Sequence, residues 1–216
     1  MARRSYKQAC SLARALDAIG DRWTLLIIRD LLLGPRRYGE LQTCLPGIGT
    51  NLLADRLKSM EKIGLVRRLP VDAGHRWELT ETGLGLEPAL MEMIRWAMTT
   101  RLPAHGDEAS RPEWDLVAMK ALFDPQRYTG APDRFRLVLN GLPAILEVVG
   151  EALEVRQEDG GTAAATIEMD GTTGWRLATG KVGFENVLAD GRLKIFGDKK
   201  AARQLLGAFA LPGQPG

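Results

Sequence analysis

Along the first hundred residues, apolar side chains recur at helical spacing and stop at glycine or proline. Leu12, Leu16 and Ile19 end at Gly20, and Asp21 then offers an N-cap for a second helix with Leu25, Leu26, Ile28 and Leu32, closed by Gly34-Pro35. A short third helix fits Tyr38 to Cys44, broken by Pro46-Gly47. After Gly47-Ile-Gly-Thr50 a fourth helix buries Leu53, Leu57 and Met60, turns Asn51, Asp55, Lys58 and Lys62 outward, and ends at Gly64. Strand-like runs follow: Leu65 to Leu69 and Arg76 to Leu79 read as a hairpin around a turn from Pro70 to Gly74. A two-stranded ribbon is marginal alone, so it must lie against the helices before it. A fifth helix from about Glu87 carries Leu90, Met93, Ile94 and Ala97 on one side, with Gly83 and Gly85 delaying its start. That face is broad for a terminal helix, which predicts packing on another chain.

Residues 102–112, LPAHGDEASRP, have the proline, glycine and charge content of a linker. Beyond it the period changes. Runs 135–139, 144–149, 152–156 and 164–169 read as successive strands between Asn140-Gly141, Gly150 and Glu158-Asp-Gly-Gly161. Helical segments at 172–179 and 184–188, a last strand at 192–196 and a last helix from Lys199 to Phe209 capped by Asp198 complete the chain, with Pro212 to Gly216 as a frayed tail. Strands in a run with helices set on one side predict an α+β domain with a mainly antiparallel sheet. The expected division is 1–101, a linker at 102–112, and 113–216.

Composition is that of a globular protein of 216 residues, long enough for two cores of about 100 residues. The whole-chain charge of +2 is uninformative until it is split. Residues 1–101 hold 16 Lys and Arg against 11 Asp and Glu, a net of +5, and the remainder nets −3, so an acidic partner belongs to the first half. Two cysteines, Cys10 and Cys44, and two histidines, His75 and His105, supply no zinc module, no disulfide framework and no hydrolytic triad; neither metal nor cofactor is expected. The basic start MARRSYKQA imitates a signal peptide, but Arg14, Asp17, Asp21 and Arg22 interrupt any apolar core behind it, and Leu25 to Ile28 is too short for a membrane span. A cytoplasmic protein is expected. Gly174 to Val182 imitates a phosphate loop, yet it spaces its glycines by five residues and puts Val where a hydroxyl must bind magnesium.

Three helices, a recognition-type helix and a basic hairpin in that order are the parts of a winged helix-turn-helix, whose fourth helix enters the major groove. Thr50 and Asn51 at its start are short enough to reach base edges, and Asn can bridge adenine N6 and N7. Lys58 lies two turns on, where a phosphate is as good a partner as a base. The hairpin arginines can neutralise phosphates without reading sequence. The DNA-facing candidates are thus Arg37, Thr50, Asn51, Asp55, Lys58, Arg67, Arg68, His75 and Arg76.

Cys10 to Leu16, Ile19-Gly-Asp-Arg-Trp-Thr-Leu-Leu-Ile-Ile28, Arg37-Tyr-Gly-Glu-Leu41, Leu53 to Arg67 and Trp77-Glu-Leu-Thr-Glu-Thr-Gly83 together resemble the HxlR family of bacterial transcription regulators over residues 8–100. The resemblance implies a homodimeric winged-helix DNA binder on a nearly palindromic site, with the first and last helices of this half in the dimer. It also sets Cys10 beside a cysteine that answers oxidants or electrophiles in some members; the alternative is a small buried hydrophobe at a helix start.

The second half, with its strand run, Thr179-Gly180-Lys181, Phe184 to Leu188, Ala189 to Asp198 and a closing helix with Leu205 and Leu206, resembles the sterol carrier protein fold over residues 113–210. That implies a cavity for an apolar ligand, with Trp175, Leu177, Val182, Phe184, Leu188 and Phe196 as wall candidates; the alternative is a plain structural domain with Trp175, Phe184 and Phe196 as core. The sum is a dimeric regulator answering a small apolar effector, not an enzyme. Its rival is a hydrophobic-molecule carrier whose first half serves dimerisation.

Overall fold

The computed structural model describes residues 5–100, 102, 108–131, 133–157 and 160–211. Arg101, residues 103–107 of the expected linker with His105 among them, Glu158 and Asp159 of one expected turn, and the 212–216 tail lie outside the described residues. The chain divides into two compact units, residues 1–90 and 91–216.

The first unit runs α1 (Ser11–Ile19), α2 (Thr24–Leu31), α3 (Tyr38–Cys44), α4 (Thr50–Lys62), β1 (Val66–Pro70), β2 (His75–Leu79), α5 (Glu81–Leu84) and the start of α6 (Glu87–Thr99). Ile27, Ile28, Leu41, Leu53, Leu57 and Met60, the apolar stripes of three helices, close over one another in its core. Asp21 does not cap α2 directly: its carboxylate takes the Trp23 N–H at 3.0 Å and its carbonyl the Thr24 N–H at 3.1 Å, closing a turn ahead of the helix. Burial of Trp23 fixes that turn and starts α2 two residues later than the polar signal suggested.

The ribbon pairs Val66 with Leu79 through to Pro70 with His75, antiparallel. It gains a third member, because Arg36 and Trp77 exchange backbone hydrogen bonds of 2.9 and 2.7 Å. A short helix, α5, precedes α6 where the glycines argued against one. Thr80 caps it by accepting the Gly83 N–H at 3.1 Å. Gly83 is there for contact: a Cβ at that position would stand 2.1 Å from the Leu65 carbonyl oxygen, so helix and ribbon meet backbone to backbone.

The second unit runs from the rest of α6 through α7 (Pro112–Leu122), β3 (Arg134–Leu139), β4 (Leu142–Val149), β5 (Ala152–Gln157), β6 (Ala165–Met169), α8 (Gly171–Ala178), α9 (Phe184–Ala189), β7 (Leu193–Gly197) and α10 (Lys199–Gly207). The sheet order is β5-β4-β3-β6-β7; only β3 and β6 are parallel, so the unit is α+β with a mainly antiparallel sheet. Phe135, Leu137, Ile167, Val187 and Leu205 are wholly buried in it. Helix α7, absent from the sequence reading, starts on Pro112 with Glu113 and Asp115 in its first turn. The Asn140-Gly141 turn uses positive φ at both residues, 50° and 80°, and Asn140 Oδ1 accepts the Gly171 N–H at 3.1 Å. Asp115 stands beside this contact, and burial pushes its carboxyl above the usual carboxylate range. No helix among the described residues is long and apolar enough to cross a membrane.

The tight approach at Gly83 gives a direct test. Gly83→Ala should destabilise the first unit by about 1–3 kcal/mol, because backbone must shift to admit the methyl group. Gly85→Ala, whose Cβ would meet the Thr82 carbonyl at 3.3 Å, should cost less. Urea unfolding of the full chain, followed by the fluorescence of buried Trp23 and Trp77, measures both; equal losses would contradict the contact.

Candidate nucleic-acid interface

Helices α3 and α4 are joined by a short connector whose Leu45 and Ile48 are buried and whose Gly47 takes φ +85°. The Ile48 N–H donates to the Leu45 carbonyl at 3.1 Å, and Tyr38 Oη donates to the Thr50 carbonyl at 2.6 Å, tying the start of α3 to the start of α4. Across the bundle an Arg56–Asp21 ion pair of 2.9 Å links α4 to the turn before α2. With its inner stripe so fixed, α4 presents Thr50, Asn51, Asp55 and Lys58 to solvent. Those four side chains make no hydrogen bond or ion pair among the described residues, and Asn51, Asp55 and Lys58 follow one another at helical spacing.

The ribbon candidates are placed differently from one another. Arg67 Nε lies 2.7 Å from Glu78 Oε1, directly across the ladder. Arg68 reaches both carboxylate oxygens of Glu61 on α4 at 3.2 Å and lies over the Trp77 ring at 5.0 Å. His75 meets the same ring edge-on, 5.3 Å between centroids. Arg76 is half-buried and forms no ion pair among the described residues. Arg37 acts on the turn itself: its guanidinium donates to the Ala73 carbonyl at 2.6 Å, while its backbone N–H donates to Glu40 at 2.6 Å. Arg37 therefore holds the ribbon tip. The sequence reading missed Arg56, Tyr38, Glu61 and Glu78, although the hairpin register that pairs residue 70 with 75 already sets Arg67 opposite Glu78.

Of the stripe expected on α6, Leu90 is buried within the chain, Met93 is exposed, and Ile94 and Ala97 are half-buried. Trp96, not foreseen, is 59% exposed, and Tyr6, Leu12 and Leu16 on and before α1 are exposed as well. Cys10, also exposed, sits at the start of α1, where the backbone N–H groups of Ala13 and then Leu12 pull its thiol below the ordinary range. Cys44 is buried.

In the second unit the foreseen wall residues differ in exposure. Trp175 and Phe196 are exposed, so neither is core; Leu177, Val182 and Leu188 are half-buried, and Phe184 lies under the Arg203 guanidinium at 5.0 Å. An open cavity of about 260 Å³ lies elsewhere, between the segment after α7 and the β4–β5 turn, lined by Pro125, Gln126, Tyr128, Gly130, Val148, Gly150 and Glu151. Tyr128 donates to the Ala131 carbonyl at 2.7 Å, and burial together with the Asp133 charge pushes its hydroxyl pKa up.

Comparison with known proteins follows the same division. Residues 18–104 match the HxlR-like helix-turn-helix family and residues 124–210 the SCP-2 sterol transfer family. An uncharacterised HTH-type transcriptional regulator of Mycobacterium tuberculosis is 39% identical over 114 residues, 51% of this chain and 66% of its own length. The HTH-type transcriptional regulator YvaP of Bacillus subtilis, likewise uncharacterised, is 36% identical over 39% of this chain and 81% of its own. The crystal structure of quinone-bound YodB from Bacillus subtilis is 36% identical, covers 41% of this chain and 97% of its own, and superposes with a TM-score of 0.38.

The two cysteines differ enough for a chemical test. With iodoacetamide near neutral pH, Cys10 should be alkylated in the folded chain and Cys44 only after denaturation, read by peptide mass mapping. Equal labelling of both in the native protein would contradict the burial of Cys44.

Proposed function

Because this chain belongs to the HxlR-like helix-turn-helix family of transcriptional regulators, we propose that it binds double-stranded DNA as a homodimer on a nearly palindromic operator, α4 entering the major groove. The observation that carries this is the outward face of α4, where Thr50, Asn51, Asp55 and Lys58 stand exposed and unengaged at the end of the helix that a groove admits. Asn51 reads adenine, Asp55 can accept from cytosine N4, and Lys58 takes a base edge or a phosphate. Arg76, with His75 at the tip that Arg37 holds, meets the sugar-phosphate backbone. The roles divide as residues 1–101 for DNA and dimer, 102–112 as linker, and 113–216 for effector binding.

The dimer uses α6 and α1. Met93 and Trp96 on α6, with half-buried Ile94 and Ala97 beside them, and separately Leu12 and Leu16 on α1 are apolar side chains left open on a monomer. A two-fold axis buries both sets and presents two α4 helices to half-sites a DNA turn apart. The likeness of residues 124–210 to a sterol transfer family supports a small apolar effector. A tenfold effect on operator binding needs about 1.4 kcal/mol of difference in ligand affinity between the free and DNA-bound states.

Two experiments decide between this reading and a carrier with a structural first half. Asn51→Ala should flatten base preference in a binding selection. Arg76→Ala should weaken every sequence alike and lower the slope of log affinity against log salt by about one unit. A uniform loss from Asn51→Ala would remove α4 from the groove. Separately, light scattering at micromolar concentration should give a dimer, and Trp96→Glu should shift it to monomer; a monomeric parent chain would refute the assembly.

A further inference from the structure

We propose that Glu61 and Glu78 hold Arg68 and Arg67 in internal ion pairs that DNA phosphates must displace, so that these two carboxylates set how strongly the chain grips DNA of any sequence. The inference rests on the reading that α4 and the ribbon meet DNA. Arg67 is 69% exposed and its partner Glu78 only 18%, so the guanidinium lies open to an incoming anion while the carboxylate is fixed in the ladder. Arg68 is held from two sides, by both oxygens of Glu61 and by the face of Trp77. A carboxylate offers a guanidinium the same pair of acceptor oxygens that a phosphate offers, which makes each glutamate a resident competitor. Exposed pairs of this kind contribute little stability, so a polyanion can displace them; the displaced carboxylate nevertheless stays within reach of the phosphate and opposes it. Arg76 and Lys58 have no such partner among the described residues and attract phosphate unopposed. Of the three ribbon arginines, then, two are attenuated by design of the ladder and of the last turn of α4.

The test uses the full chain and a random-sequence duplex of about 30 base pairs, titrated by fluorescence anisotropy over a range of potassium chloride. Glu→Gln keeps the shape and one acceptor oxygen and removes the charge that competes with phosphate. Glu78→Gln and Glu61→Gln should each bind roughly threefold tighter near 0.1 M salt, with a steeper salt slope. Coupling is decisive: Arg67→Ala should change affinity little in the parent chain and should erase the gain in the Glu78→Gln background. If Arg76→Ala weakens binding while neither Gln variant strengthens it, or if the Arg67 and Glu78 effects simply add, the inference falls and the DNA-binding reading stands. If the parent chain binds no duplex at all, the DNA-binding reading falls and takes the inference with it.

Discussion

Two backbone hydrogen bonds between Arg36 and Trp77 carry the ribbon on the helices, and most of the first unit depends on them. A hairpin of five-residue strands cannot hold a fixed position in water by itself. The bridge extends the ladder by one member whose other end is anchored in the bundle: the Arg36 guanidinium, nearly buried, donates to the Asp30 carbonyl at 2.9 Å at the end of α2. The Asp30 carboxylate, 1% exposed, takes Arg29 with two hydrogen bonds of 2.9 and 3.2 Å. Buried ions are tolerated only when paired, so this cluster adds less to stability than it adds to register. A slip of one residue in β2 would turn Trp77 out of the core and its charged, half-buried neighbours Arg76 and Glu78 in.

From that register the rest of the surface follows. Trp77 becomes the platform for Arg68 and His75, Glu78 comes to face Arg67, and the tip lies where Arg37 can hold Ala73. The electrostatics of the ribbon are therefore a property of strand pairing as much as of composition. A net charge of +5 over the first 101 residues counts arginines without saying which are already spoken for.

Much of the architecture was legible in the chain. The stripes Leu53, Leu57, Met60 and Leu12, Leu16 have a single helical period, and the run Pro70 to Gly74 marks the turn between the strands, so α1, α3, α4 and the hairpin are placed within a residue or two. Helix α7 was missed because Arg111-Pro112 reads as the end of a loop, although Pro at the first helical position followed by Glu113 and Asp115 is equally a helix start. Helix α5 was missed because Gly83 and Gly85 argue against helix locally; what outweighs them is a tertiary contact with the Leu65 carbonyl that no local pattern contains. The same limit governs side-chain roles. The phase of α8 buries Thr173 and Ala178 and leaves Trp175 outside, a choice made by packing against α7 and α10, not by hydrophobicity. Outward-facing α4 residues were legible because an amphipathic helix names both its faces; ion-pair partners across elements were not, since they depend on distances set by the whole unit.

The parallel pairing of β3 with β6 gives the second unit an order of assembly on the ribosome. Strands β3, β4 and β5 form a meander as they emerge, each beside its predecessor, but the other edge of β3 has no partner until residues 165–169 arrive. At about 10 residues per second that edge stays open on the nascent chain for on the order of a few seconds. An open edge in a crowded cell invites pairing with another chain, and natural sequences discourage this with charge. Arg134 and Arg136, alternating with buried Phe135 and Leu137 along β3, place two guanidinium groups beside that edge, so the strand at the centre of the finished sheet travels through synthesis dressed as a surface strand.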